Sequence, residues 1–320
     1  MKAVRVHDFG GPEVLRLEEI EDLTPRSEEI VIDVKAAGVN PVDVYIRTGT
    51  HSVKPPLPYT PGVDGAGVIS SIGKKVKDYR VGERVYISGT LSGTYAERTL
   101  CRPEHIFPLP EFLTFGQGAA IGIPYATAYY GLFSKAKAVA AESVLIHGAS
   151  GGVGMAAVQL AHMAGLKVFA TAGTSSGLEL LQQQSAQHVF DHTLPDYREK
   201  ILKANGGHGV DLILEMLANE NLADDLQLLA SKGRVIVIGS RGPVMIDPRD
   251  LMVREATVSG ILILNLNREE RRKIDQTVCE ALHLKKINPV IGKIFPLSQA
   301  AEAHEAILTR GAAGKIILVP

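Results

Sequence analysis

The sequence predicts an α/β chain in two parts, a β-rich N-terminal region followed by a doubly wound, six-stranded parallel sheet, with a C-terminal return to the first part. Three observations predict this class. Glycine and proline cut the first third into short β-type runs, the grammar of an irregular barrel. From about residue 124 apolar strand patterns alternate with helical ones, which is the signature of parallel βαβ units. Between the first such strand and its helix lies a cluster of small residues, His147-Gly-Ala-Ser-Gly-Gly-Val-Gly154.

Each element has a local reason. Short β pieces fall at 2–7, 13–18, 29–36, 65–73, 83–88 and 93–100, separated by Gly10-Gly11-Pro12, Pro55-Pro56, Pro58, Pro61-Gly62, Pro108 and Pro110. Asn40-Pro41-Val42-Asp43 reads as a helix start, with Asn as N-cap and Pro at the first helical position. In the middle, strands at 143–147, 166–172, 188–191, 210–216, 233–239 and 256–263 enclose helices near 152–164, 176–184, 197–205 and 221–231. Beyond 265 come an amphipathic helix over 268–284, a strand pair near 289–295, a helix from Ser298 to Arg310, and a last strand over 315–319. The expected domains are therefore 1–123, 124–264 and the return 265–320.

Composition narrows the function classes. A chain of 320 residues with a formal net charge of −1 gives no electrostatic case for nucleic acid or an anionic membrane. No apolar run approaches the ~18 residues that span a bilayer. Two cysteines, Cys101 and Cys279, cannot build a disulfide framework or a four-thiolate zinc lobe. Met1-Lys-Ala-Val-Arg-Val reads as an alternating strand and not as a signal peptide, so a cytoplasmic location is expected.

The small-residue turn carries the chemistry. Glycines at 148, 151 and 154 let the backbone turn tightly and approach a pyrophosphate, while the following helix offers free N–H donors and a partial positive charge. After the second strand, a dinucleotide site for NAD places an acid that binds the ribose 2′-hydroxyl. Here that place holds Ala172, Gly173 and Thr174, with no acid before Glu179. The absence of a carboxylate admits a 2′-phosphate, and His192, after the third strand, is a candidate donor to it; a plain loop histidine is the other reading. The remaining strand ends carry Ala218-Asn-Glu-Asn221 and Gly239-Ser-Arg-Gly242, small or hydrogen-bonding residues on the same predicted edge.

Taken together with Phe9-Gly-Gly-Pro-Glu-Val-Leu15, Gly38-Val-Asn-Pro-Val42, Leu57-Pro-Tyr-Thr-Pro-Gly62, Gly118-Ala-Ala-Ile-Gly-Ile-Pro-Tyr125, Glu215-Met-Leu-Ala218 and Val237-Ile-Gly-Ser-Arg-Gly242, the chain resembles the zinc-independent, ζ-crystallin-like quinone oxidoreductases of the medium-chain dehydrogenase/reductase superfamily over essentially its whole length. The resemblance implies a GroES-like domain, a Rossmann domain, NADPH as cofactor, a small quinone as substrate and a homo-oligomer, tetrameric or dimeric. It implies cofactor contacts at Tyr45, at Ser150, Gly151, Gly152 and Val153, at Gly173 and His192, at Asn221, at Ile238, Gly239, Ser240 and Arg241, and at Ile261, Leu262 and Ile263. It places Asn40, Tyr45, Tyr59 and Thr127 around the reacting groups. Each has a plainer reading: capping for Asn40, helix-start charge for nearby Asp43, core or loop packing for Tyr45, Tyr59 and Thr127.

Zinc-dependent relatives supply a Cys after the second strand and a Gly-His-Glu motif. Asn40 stands at the Cys and Gly62-Val63-Asp64 at the motif, and neutral Asn and Val are poor substitutes for thiolate and imidazole, so no metal is expected. An electron-poor quinone needs an oriented, dry hydride donor more than a strong acid. The expected activity is NADPH-dependent reduction of quinones, ortho-quinones in particular, with release as semiquinone allowed by family precedent. Reduction of the conjugated C=C of enals or enones is the enzymatic alternative. A lens-crystallin role or AU-rich RNA binding is the alternative of another class.

Overall fold

The computed structural model describes residues 1–184, 186–309, 311 and 313–320. The chain divides into two compact units, one of Met1–Ile123, Asp275–His283 and Pro289–Pro320, the other of Pro124–Ile274 and Leu284–Asn288.

In the first unit β1 (Lys2–Val6) and β2 (Leu15–Glu19) form an antiparallel pair. Next come β3 (Ile30–Gly38), α1 (Pro41–Arg47), β4 (Asp64–Ile72), β5 (Arg84–Ser88), β6 (Arg98–Cys101), β7 (Ile106–Pro108), α2 (Phe115–Gly118) and α3 (Gly122–Tyr129), the last crossing into the second unit. β3 is largely buried because Ile30 and Ile32 pack into one core cluster and Val34 and Ala37 into another, while β4 and β6 pair with its edges, both antiparallel. Ile30, Ile32, Ile69, Val85, Ile87 and Ile106 pack together as one cluster behind it. Each such fully buried side chain contributes roughly 1.5–3 kcal/mol.

The second unit carries β8 (Ser143–Ile146), α4 (Gly152–Met163), β9 (Lys167–Ala172), α5 (Ser175–Gln183), β10 (His188–Asp191), α6 (Tyr197–Ala204), β11 (Val210–Glu215), α7 (Ala218–Leu228), β12 (Leu229–Val237), α8 (Pro248–Arg254) and β13 (Thr257–Gly260). The strand order is β10-β9-β8-β11-β12-β13 and every pairing is parallel. The chain runs outward from β8 to β10, then restarts at β11 on the other side of β8. Ligands of such sheets bind outside the carboxyl ends of the strands at that reversal. The chain ends with α9 (Arg268–His283), β14 (Ile291–Pro296), α10 (Ala300–Leu308) and β15 (Lys315–Val319), β15 joining β14 to β3.

Five expectations need correction. Residues 93–97 are not strand, because Gly93 turns the chain at φ +85° hard against Thr60 O before β6 starts at Arg98. The pair expected near 289–295 is the single strand β14, whose partner is β15. The fourth helix starts earlier and stops at Leu228, with β12 following at once, so an apolar run read as helix continues as strand. The sixth strand ends at Gly260, which leaves Ile261, Leu262 and Ile263 in the turn beyond it. The expected helix over 298–310 begins as a 3₁₀ turn at Leu297–Gln299 and then forms α10; Arg310 lies outside the described residues. Among the described residues no helix is long and apolar enough to cross a membrane.

Candidate functional site

The glycine turn lies at the carboxyl end of β8, beside the reversal of strand order. Gly148 takes φ +56°, the left-handed region in which a side chain is strained. Gly151 is the N-cap of α4 in an extended conformation, and a Cβ added to it would touch only Gly148 O, at 3.5 Å. A Cβ on Gly154 would instead stand 2.8 Å from the carbonyl carbon of Ala149, so this glycine serves close packing of helix on turn. Space therefore opens at Gly151, in front of the first turn of α4, where unpaired N–H groups favour an anion. Ser150 is buried beside Gly177, and Gly152 and Val153 form the half-buried first turn of α4.

The acid-free edge follows β9. β9 ends at Ala172, exposed Gly173 follows, and Thr174 caps α5 by accepting a hydrogen bond from Gly177 N at 3.2 Å. His192 N–H donates to Ala172 O, and its ring lies so close that a Cβ on Gly173 would be 2.5 Å from His192 Nε2. Gly173 thus makes room for the imidazole.

The loops after β11 and β12 interlock. Ala218 N–H donates to Gly239 O at 2.9 Å, Ile238 N–H to Glu215 O at 2.8 Å, and Arg241 N–H to Asn219 Oδ1 at 2.8 Å. A Cβ on Gly239 would collide with Met216 O, so only glycine permits this approach. Ser240 Oγ donates to Gly242 O. Asn221, on the first turn of α7, donates its side-chain amide to both oxygens of Glu215 at 3.2 Å. Ile261 N–H reaches Val237 O at 3.0 Å, and Leu262 and Ile263 continue into a 3₁₀ turn. These residues of the second unit all gather at the carboxyl edge of its sheet.

In the first unit Asn40 is the N-cap of α1 and forms a capping box with Asp43. Its side chain also joins a buried network: Nδ2 donates to Asp64 Oδ2 at 2.9 Å and Oδ1 accepts from Lys315 Nζ, which also pairs with Asp64 at 3.3 Å. Asn40, Asp64 and Lys315 are each buried, so the Asn40 side chain serves this network as well as the helix start. Burial pulls the Lys315 ammonium down from its ordinary value, and Asp64 and Asp43 oppose that pull. Asp43, expected as a helix-start charge, stands in the first turn of α1 and is buried; it accepts from Asn40 N–H at 2.8 Å and from Tyr95 Oη at 3.2 Å. Burial pushes its carboxyl up to about 7.

Asp43 and Tyr59 line a groove of about 520 Å³ with Arg5, Ile46, Pro58 and Gly62. Tyr59 Oη is buried without a hydrogen-bond partner among the described residues, and burial, followed by the nearby Asp43, pushes the phenol up to about 12. It stays a neutral donor at any working pH. Tyr45 is half-buried on α1, and Thr127 is buried on the part of α3 that belongs to the second unit. At the zinc positions of related enzymes the donors are an amide already engaged with an ammonium and the alkyl side chain of Val63, a set that does not fit zinc.

Sequence reasoning missed Lys315 and Asp225. Both had a signal. Lys315 opens an otherwise apolar buried strand, and Asp225 stands on the buried side of α7; a charge in either place requires a partner. His147, a strand-end residue, and Glu215, which opens the stretch Glu215-Met-Leu-Ala218, meet Asp225: His147 Nε2 lies 2.9 Å from Asp225 Oδ1 and 3.9 Å from Glu215 Oε2.

The chain matches two family models, the alcohol dehydrogenase GroES-like domain over residues 26–153 and the zinc-binding dehydrogenase over residues 152–278. It is 48% identical to the quinone oxidoreductase of Sus scrofa over 321 aligned residues, covering 100% of this chain and 98% of that protein. A solved NAD-dependent alcohol dehydrogenase superposes with a TM-score of 0.93 at 27% identity, each chain covered in full. The Escherichia coli quinone oxidoreductase solved with NADPH superposes with a TM-score of 0.88 at 28% identity, again over the whole of both chains. This full-length relatedness makes the chain an oxidoreductase that belongs to the ζ-crystallin-like quinone oxidoreductase family of the medium-chain dehydrogenase/reductase superfamily.

Proposed function

We propose that the chain reduces quinones with NADPH, and that ortho-quinones are its preferred acceptors. The observation that carries the reading is the edge Ala172-Gly173-Thr174, which has no acid and lies against His192, next to the open glycine turn, in a chain of the quinone oxidoreductase family. The residues fit the cofactor: space at Gly151, no carboxylate to repel a 2′-phosphate, and an imidazole beside the place where that phosphate belongs. The bound cofactor supplies a hydride, two electrons and a proton's worth of hydrogen.

The chain's own residues bind and orient. Ser150, Gly151, Gly152 and Val153 hold the pyrophosphate; Gly173 and His192 hold the 2′-phosphate; Asn221, Ile238 to Arg241 and Ile261 to Ile263 line the rest of the dinucleotide. Tyr45 packs against the nicotinamide end. Tyr59 Oη, lacking a partner, donates to a quinone oxygen, and Thr127 is a second candidate donor. Asn40 holds the network beneath α1 and stays a candidate beside the reacting groups. Release after one electron balances as one NADPH and two quinones giving NADP⁺, two semiquinones and one proton. The domain division 1–123, 124–264 and 265–320 is proposed with this reading, as is a homo-oligomer, tetramer or dimer, which light scattering coupled to gel filtration resolves. Titration of the purified protein with NADPH and with NADH tests the cofactor reading: tighter NADPH binding supports it, and equal or tighter NADH binding refutes it.

A further inference from the structure

At the reversal of strand order, under the loops just described, three ionisable side chains are sealed from water. His147 follows β8, Glu215 ends β11, and Asp225 lies on α7; His147 is 3% exposed, Glu215 0% and Asp225 1%. His147 Nδ1 contacts Thr171 Oγ1 at 3.2 Å, and Nε2 meets Asp225 Oδ1 at 2.9 Å. The second oxygen of Asp225 is buried, and among the described residues no donor reaches it. What faces Asp225 is Glu215, a carboxylate oxygen of each lying within 4.8 Å of the other. Two buried carboxylates this close, with a single imidazole against them, repel each other unless the pair holds a proton.

The same Glu215 is tied to the site. Its Oε1 accepts from Leu217 N–H, and both oxygens accept from the Asn221 amide. The contacts run unbroken from Thr171 through His147, Asp225 and Glu215 to Asn221, joining the ends of β9, β8 and β11 to the start of α7.

We propose that Glu215 is a positioning residue, sharing one proton with Asp225 beside His147, and that this shared proton locks the Leu217–Asn221 turn and the Asn221 side chain for the dinucleotide. The proposal rests on the cofactor reading above. Burial, the largest influence, pushes Glu215 up to about 7, against the pull of His147 and with the help of Asp225. Burial draws His147 down, but Asp225 and Glu215 outweigh it and leave the imidazole raised. The other ionisable group facing them is Tyr197 of α6, itself raised, chiefly by burial.

The direction with pH follows. The folded chain keeps the Glu215 proton beyond the ordinary glutamate value of 4.5, so stability is greatest below that value and is lost as pH rises to about 7. The raised His147 acts in the same sense, its contribution fading as pH rises above 6.5.

The test uses the full chain and two variants. Glu215→Gln keeps one oxygen to accept from Leu217 N–H and the Asn221 amide and replaces the other by an NH₂ that gives Asp225 a permanent donor, whereas Glu215→Ala removes everything. Without cofactor, native protein should lose about 3–6 °C more in Tm than Glu215→Gln between pH 5.5 and 8.5. At pH 6, Glu215→Ala should bind NADPH about 10-fold or more weakly, with circular dichroism unchanged, and Glu215→Gln within roughly 3-fold of native. Parallel melting profiles for native and Glu215→Gln protein overturn the shared proton, and native NADPH affinity in Glu215→Ala overturns the positioning role. Stoichiometric metal in the purified protein also overturns it, because the three ligand atoms lie within 4.8 Å of one another and a cation would then hold them. If native protein binds no NADPH, the cofactor reading fails and the cofactor-free melting profiles still decide the proton.

Discussion

Gly151→Val separates binding from folding at the glycine turn. The residue is extended, at φ −78° and ψ 175°, a region that valine favours, and its added Cβ would meet only Gly148 O at an ordinary 3.5 Å. Stability should therefore change by no more than about 0.5 kcal/mol, with loss of glycine freedom in the unfolded chain helping the variant. The isopropyl group would occupy the space in front of α4, so NADPH should bind at least ~100-fold more weakly, about 2.7 kcal/mol. Gly154→Ala gives the opposite pattern. Its methyl would press on Gly148 O and on Ala149 backbone atoms that cannot yield, which costs roughly 1–3 kcal/mol of stability. Fluorescence titration with NADPH and urea unfolding read the two quantities on each variant. Near-native NADPH affinity in Gly151→Val, or native stability in Gly154→Ala, would refute the placement of the phosphate at this turn.

Lys315→Met leaves Asp64 charged, buried and without its cation, and should cost about 3–5 kcal/mol in urea unfolding; adding Asp64→Asn should recover more than half, and failure to recover would show that packing and not charge is at stake. Gly173→Asp should push against His192 and set a carboxylate where the 2′-phosphate belongs, eroding the preference for NADPH over NADH about 10-fold or more in comparative titrations; an unchanged ratio would move the 2′-phosphate elsewhere. Tyr59→Phe deletes an orphan buried hydroxyl, so stability should rise by up to about 1 kcal/mol. Quinone turnover should fall about 10-fold or less, since general acid catalysis proper contributes ~10²–10⁴; a 10³-fold loss would make Tyr59 an essential proton donor and favour the enone reductase reading.

The second unit was legible because its strands, buried on both faces, are continuous apolar runs between helices, so β8 to β11 fall within a residue or two of their expected ends. Legibility failed where local preference met a tertiary constraint. Leu228-Leu229-Ala230 continues an apolar helix pattern, yet β12 begins at Leu229 because the edge beside β11 must be filled. Residues 93–97 have β character but bend at Gly93 to pass Thr60. The glycine turn, Gly173 and His192 were readable from spacing. The side-chain networks were not, since Lys315 meets Asn40 across 275 positions and Asp225 meets His147 across 78. Such pairings follow from topology and leave only a charge in an apolar run as their trace.

The most direct measurement is NADPH consumption by the purified chain with ortho-quinones, para-quinones and enals in parallel, each product identified and counted against NADPH oxidised. The account expects quinones to be reduced, ortho-quinones fastest, enals to remain intact, and the activity to disappear in Gly151→Val. Saturation of the enal C=C with quinones left unreduced would contradict it.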